Sequence, residues 1–201
     1  MLRARTAVLV SGGGTNLQAL IDASLRGEMP HAELALVISN RESAYALTRA
    51  GNAGIPAVFI PNGPCFEEEL IALLDENGID MIVLAGFLRI LSEEFIDCWE
   101  GRIINVHPSL IPSFCGKGFY GLKVHEAALE RGVKVTGATV HIVTAEADAG
   151  PILLQKAVAV EDGDTPETLQ RRVMEEAEWK LLPMAAEMLA AKITEEQEHM
   201  I

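Results

Sequence analysis

"TAVLVSGGGTNLQAL", residues 6–20, runs from an apolar β-branched stretch through three glycines directly into a segment with helical spacing. A short buried strand, a glycine turn and a helix, in that order, are the opening unit of an α/β domain. The alternation continues downstream. "ELALVIS" (33–39), "PAVFI" (56–60), "MIVLA" (81–85) and "RIINV" (102–106) are apolar runs bounded by turn residues, the pattern of strands buried on both faces. Between them, "NLQALIDASLR" (16–26), "SAYALTRAGNAG" (43–54), "CFEEELIALLDENG" (65–78) and "SEEFIDCWEG" (92–101) carry helical periodicity. Gly27, Gly54, Gly78 and Gly101 stand where their C-terminal caps fall. The expected architecture is α/β, a single domain with a mostly parallel twisted sheet and helices on both faces.

After residue 107 the pattern changes. A loop rich in Gly and Pro (108–122) leads to the helix "KVHEAALERG" and then to two long strand candidates, 135–143 and 151–160. A final helix opens with Thr165 as N-cap and Pro166 at the first helical position. Pro183 is expected to kink or interrupt that helix, and residues 193–201 are expected to fray.

Composition narrows the function. The formal net charge of −13 argues against a nucleic-acid partner, whose phosphates call for clustered Lys and Arg. No apolar run approaches the roughly 20 residues of a membrane span. The first residues, "MLRAR", do not read as a signal peptide, and three cysteines without a CxxC pair fit reduced thiols. A cytoplasmic protein acting on small molecules is expected, as monomer or homodimer.

Four stretches can carry chemistry. The glycine turn lets backbone N–H groups converge at a helix N-terminus, a cradle for an anion. It lacks both GxGxxG spacing and a Walker Lys, so a single phosphate suits it better than a dinucleotide, with Thr15 and Asn16 adding donors. The alternative is a tight turn with Asn16 as a cap. In "RIINVHP", Asn105 and His107 lie two apart on a strand and share a face at its carboxyl end, where α/β sheets bind ligands. An amide can hold an oxyanion and an imidazole can move a proton, or the pair can simply satisfy loop carbonyls. The loop 144–150 offers Glu146 and Asp148, either of which could orient a histidine or be an ordinary turn residue. "VLAGFLRIL" (83–91) ends a strand in an apolar loop with free backbone groups. His141 reads as a supporting or substrate-contacting residue. The remaining His and Cys show no metal-ligand spacing, so no metal is expected.

Together, "SGGGTNLQAL", "LAGFLRIL", "NVHPSLIPSF", "GATVHIV" and "DAGPILLQ" resemble the phosphoribosylglycinamide formyltransferases, folate-dependent enzymes of purine biosynthesis, from about residue 6 to about residue 185. The resemblance implies a Rossmann-like formyltransferase fold and direct formyl transfer from the co-substrate 10-formyltetrahydrofolate. It implies Asn105 and a protonated His107 on the oxyanion, with Asp148 raising the histidine pKa and relaying a proton. Gly12, Gly13, Gly14, Thr15 and Asn16 would cradle the ribonucleotide phosphate, and Glu178 would contact the ribose region. Leu88, Arg89, Ile90 and Leu91, with Asn105 and the loop Thr144, Ala145, Glu146, Ala147 and Asp148, would form the folate pocket. It also implies a phosphate-binding half over about 1–100 and a folate and catalytic half over about 101–190. The sequence departs from the family pattern in three places. No basic residue accompanies Gly63, where many members carry one near the folate's glutamate tail; Glu175 stands where some members have lysine; and the 113–124 loop, with Lys117 in it, is longer than in the shortest members. The nearest rival reading is a 10-formyltetrahydrofolate hydrolase or another formyl-folate transferase. A Rossmann oxidoreductase is disfavoured because Ser39-Asn40-Arg41 stands where an acidic residue should end strand two.

Overall fold

The structure, a computed structural model, describes residues 2–199. Its strands are β1 (Ala4–Val10), β2 (Ala32–Ser39), β3 (Ala57–Phe59), β4 (Met81–Leu84), β5 (Ile103–His107), β6 (Val135–Ile142) and β7 (Ile152–Ala159). Its α-helices are α1 (Thr15–Leu25), α2 (Tyr45–Asn52), α3 (Phe66–Glu76), α4 (Glu93–Cys98), α5 (Leu122–Arg131), α6 (Pro166–Val173) and α7 (Trp179–His199). The strands form one sheet in the order β3-β2-β1-β4-β5-β6-β7. Pairings from β3 to β5 are parallel, and β5–β6 and β6–β7 are antiparallel. The expected mostly parallel sheet is therefore present.

The residue period of two along β1 divides the interior into two cores. Val8 and Val10 pack in one core with Leu17 and Leu20 of α1 and Leu182 and Ala186 of α7. Ala7 and Leu9 face the other, with Phe66, Leu70 and Leu74 of α3 and Phe95 of α4. Each fully buried Leu or Phe contributes about 1.5–3 kcal/mol of transfer free energy. Both faces of the sheet are thus covered by helices. The four cap glycines adopt left-handed backbone at φ 73, 71, 56 and 72° for Gly27, Gly54, Gly78 and Gly101. That is why those helices stop where they do.

The closing helix differs from expectation. Thr165 does cap it, in a reciprocal arrangement with Thr168, with Pro166 at the start. The chain stays helical through Pro183, however, and the irregularity lies upstream as a π-helical turn, Met174–Glu178. The carbonyl that the Pro183 ring must clear is that of Trp179, which directly follows this widened turn. Fraying from 193 is also not observed over the described residues. Ile193 and Thr194 are buried, and Gln197 Nε2 donates to Asp80 Oδ1 at 2.8 Å; the end of the expected tail, 200–201, lies outside the described residues.

Strand order locates the ligand crevice. The chain moves from β1 out to β2 and β3, then returns to β4 on the other side of β1. Loops leaving β1 and β4 in opposite directions open a cleft at their carboxyl ends. The glycine turn after β1, the 85–91 loop after β4 and the end of β5 all border it.

Candidate active site

A cavity of about 730 Å³ fills that cleft. Thr15 and Asn16, Leu88, Arg89 and Ile90, Asn105 and His107, Ala147 and Asp148, and Glu178 all line it. Four sequence segments that read separately as candidates thus meet in one place.

The reactive end is built by register. Asn105 on β5 lies opposite His141 on β6, and His107 lies opposite Thr139. Asn105 Nδ2 is 3.2 Å from His141 Nε2, while His141 Nδ1 is 2.9 Å from the Ile142 carbonyl. The Ile142 carbonyl can only accept, so Nδ1 carries a proton; Nε2 accepts from Asn105 and orients the amide when the ring is neutral, and faces Asp148 as a donor when the ring is protonated. His107 Nε2 likewise donates to the Phe114 carbonyl at 2.8 Å, which leaves Nδ1 3.5 Å from Asp148 Oδ2. Asp148 Oδ1 lies 3.5 Å from His141 Nε2, and Oδ2 accepts from the Gly116 N–H at 2.8 Å. One carboxylate therefore sits between two imidazoles, and it also ties down the 108–121 loop.

Asp148 reaches this position from a strained backbone, at φ 56°. Asp tolerates the left-handed region better than most residues, and such strain concentrates at functional sites. Two residues on, a Cβ at Gly150 would lie 1.9 Å from the Ile142 carbonyl oxygen. Only glycine lets the loop close so tightly on β6, which explains the Asp-Ala-Gly-Pro spacing.

Charge at the site differs from one expectation. Burial lowers the His107 pKa below its ordinary value; the Phe114 carbonyl and Asp148 oppose this, and His141 reinforces it. Asp148 does push the ring pKa upward as expected, but desolvation outweighs it and the net direction is downward. Burial alone would raise the Asp148 pKa. The His141 contact, the Gly116 N–H and the positive charge that either imidazole carries when protonated more than offset this and hold it below the usual carboxylate value.

At the other end of the cavity Asn16 Nδ2 donates to Glu178 Oε2 at 2.7 Å, joining residues 162 apart in the chain. Glu178 is buried at the end of the π-helical turn, and desolvation raises its pKa to about 7 against the opposing Asn16 bond. Gly12, Gly13 and Gly14 form the turn before α1, with Gly14 at φ 72°, but from this segment only Thr15 and Asn16 line the cavity. In the 88–91 loop, Ser11 Oγ accepts from the Leu88 N–H at 2.9 Å. Leu91 departs from its expected pocket role, because its side chain is buried in the α3–α4 core. Thr144, Ala145 and Glu146 do not line the cavity; Thr144 Oγ1 instead donates to the Glu146 carbonyl and stiffens the loop.

The missing cation beside Gly63 comes from a distance. Arg89 stacks over the Phe66 ring, 4.4 Å from its centroid, and Arg89 Nη2 donates to the Gly63 carbonyl at 3.4 Å. Sequence reading gave no binding role to Arg41 or Met174, which also line the cavity, and named Gly86 and Phe87 only within the 83–91 stretch. The β5–β6 register was the available signal for the role of His141.

An amide, two imidazoles and a carboxylate thus meet at one end of the cavity, and Thr15, Asn16 and Glu178 stand at the other. The sequence model of the formyl transferase family matches residues 4–186, and the chain belongs to that family. It is 40% identical to the phosphoribosylglycinamide formyltransferase of Haemophilus influenzae over 185 residues, which cover 90% of this chain and 84% of that one. It is 47% identical over 194 residues to the human trifunctional purine biosynthetic protein adenosine-3, covering 94% of this chain but only 18% of that longer protein. The crystal structure of glycinamide ribonucleotide transformylase 1 from Symbiobacterium toebii superposes with a TM-score of 0.87 at 42% identity, covering 94% of this chain and 89% of that one.

Proposed function

We propose that the chain transfers the formyl group of 10-formyltetrahydrofolate to the amine of 5′-phosphoribosylglycinamide. The observation that carries this reading is the joining of Asn105, His107, His141 and Asp148 by contacts of 3.2–3.5 Å, with Asn105, His107 and Asp148 lining the same cavity as Thr15 and the Asn16–Glu178 pair.

The amine attacks the formyl carbon, forming the new C–N bond and placing a negative charge on the formyl oxygen. Asn105, oriented by His141, has a second amide N–H for that oxygen. His107 adds its Nε2–H once the Phe114 carbonyl moves aside, a shift that the glycines of the 116–121 loop make easy. The attacking nitrogen loses a proton to the Asp148–His107 pair, which passes it to N10 of the folate as the C–N10 bond breaks. No covalent enzyme intermediate is needed. The ribonucleotide phosphate lies on Gly12 to Asn16, with Glu178 toward the ribose. The folate ring lies against Leu88 to Ile90 and Ala147, and its glutamate tail runs toward Arg89. The phosphate turn lies in the half over about 1–100 and Asn105, His107 and Asp148 in the half over about 101–190, with Leu88 to Ile90 and Glu178 each reaching the site from the other half. Both substrates are small molecules and the setting is the cytoplasm.

The test is a folate-turnover assay with purified protein. Release of tetrahydrofolate should require the ribonucleotide. Equal rates of folate turnover and formate release in its absence would favour a hydrolase and end this reading.

A further inference from the structure

The glycine turn, next to the cavity-lining Thr15 and Asn16, can act as an anion cradle only if its amides are kept free, and something must hold them so. A peptide unit points its C=O and its N–H in opposite directions, so the contacts of the carbonyls set the aim of the amides. The Ala46 N–H of α2 donates to the Gly12 carbonyl at 3.1 Å. Arg49 Nε donates to the Gly13 carbonyl at 2.8 Å. The Gln18 N–H takes the Gly14 carbonyl at 2.9 Å. Two successive carbonyls are thus drawn toward α2, and the amides of Gly13 and Gly14 are turned the other way. Among the described residues neither amide has a protein acceptor. The approach of α2 is close, since a Cβ on Gly14 would sit 2.6 Å from Ala46 Cβ.

Arg49 is the single side chain in this arrangement, and it is itself held. Its Nη1 donates to Gln18 Oε1 at 2.9 Å, and its guanidinium carbon lies 5.0 Å from the centroid of the Tyr45 ring. It does not line the 730 Å³ cavity. It lines a separate cavity of about 370 Å³ on the far side of Thr15, between α1 and the start of α7. We propose that Arg49 is a positioning residue for the phosphate of the substrate: its Nε–H fixes the Gly13 carbonyl and thereby aims the Gly14 amide, without touching the ligand. This rests on the function proposed above for the choice of substrate, but not for the binding of an anion.

Two substitutions separate the hydrogen bond from the charge. Arg49→Gln places an amide N–H the same number of bonds from the backbone as Nε and removes the charge. Arg49→Met has similar length and no donor. The readouts are direct titration with inorganic phosphate and, separately, KM for the ribonucleotide, KM for the folate, and kcat. Arg49→Met should weaken phosphate and ribonucleotide binding by about 10- to 100-fold, the usual effect of losing a hydrogen bond that supports a charged ligand. Arg49→Gln should stay within about threefold of wild type, with kcat and folate KM changed less than about twofold in both. Equal losses in the two variants would make Arg49 a charge acting directly and overturn the proposal. So would wild-type phosphate binding in Arg49→Met, parallel losses in folate KM, or no phosphate binding by the wild type. If Arg49→Met does not fold, Arg49→Gln decides alone: a loss of about tenfold or more overturns the proposal, and retention within about threefold supports it. If wild-type protein transfers no formyl group, the functional reading falls, while the phosphate titrations still test Arg49.

Discussion

Glu178 provides a quantitative test of how the ribose end of the cavity is built. Its carboxyl is buried at the end of the π-helical turn, and desolvation moves its pKa from 4.5 to about 7. The folded state therefore holds a proton that the unfolded chain has already released between those two values. A raised carboxyl pKa means that stability is lost as pH rises through that window and levels off above it. The separation is about 2.5 pH units at about 1.4 kcal/mol each, so the charged Glu178 costs the fold about 3 kcal/mol at pH 8. Glu178→Gln keeps the shape and can still accept from Asn16 Nδ2, but has no charge to bury. Urea unfolding of both proteins at pH 4 and at pH 8 isolates the effect, because every other titrating group cancels in the difference. The two should match at pH 4, and the variant should be more stable by about 3 kcal/mol at pH 8, equivalent to roughly 6–12 °C in Tm for a chain of this size. Superimposable stabilities at pH 8, or a variant less stable there, would refute the reasoning that Glu178 is a desolvated acid. A stabilised variant would also show that the buried charge is kept at a cost to stability, as binding sites commonly require.

Other predictions follow from the same geometry. Asp148→Asn should lower kcat by about 10²-fold, the scale of a lost acid–base group, and turnover within a few-fold of wild type would remove Asp148 from the relay. The histidine limb of the pH–rate profile should lie below the ordinary histidine value, because burial lowers the His107 pKa. Asp148→Asn should move that limb lower still, since the carboxylate raises the ring pKa; an upward movement would contradict the assignment. Gly14→Ala should destabilise the protein by about 2–4 kcal/mol, combining left-handed strain with overpacking against Ala46. Thermal unfolding would measure this, and an unchanged Tm would show that α2 can retreat from the turn.

Much of the architecture could be read from residue pattern because the physics there is local. Buried parallel strands must be apolar on both faces, so β1, β2 and β4 stand out as continuous runs, and helix ends need left-handed backbone, so glycines mark them. The pairing of Asn105 with His107 followed from the period of two along β5. What escaped was set by distance or by solvent. The position of Arg89 beside Gly63 depends on the 85–91 loop folding back over Phe66. The inward turn of Leu91 depends on the core that α3 and α4 make beneath it. The charge state of His107 depends on how much water the 108–121 loop excludes, which no spacing encodes. Pro183 misled because a proline in a helical pattern predicts a break at its own position, whereas the chain places a widened turn just before Trp179. The lengthened 113–124 segment was legible as a loop, but its grip on Asp148 through the Gly116 amide was not.

The most direct test of the account follows the formyl carbon itself. With the carbon labelled in 10-formyltetrahydrofolate, single-turnover NMR in the presence of the ribonucleotide should show the label moving in one step to the glycinamide nitrogen, one equivalent for each tetrahydrofolate formed. Label appearing as formate at the same rate with or without the ribonucleotide would contradict the account.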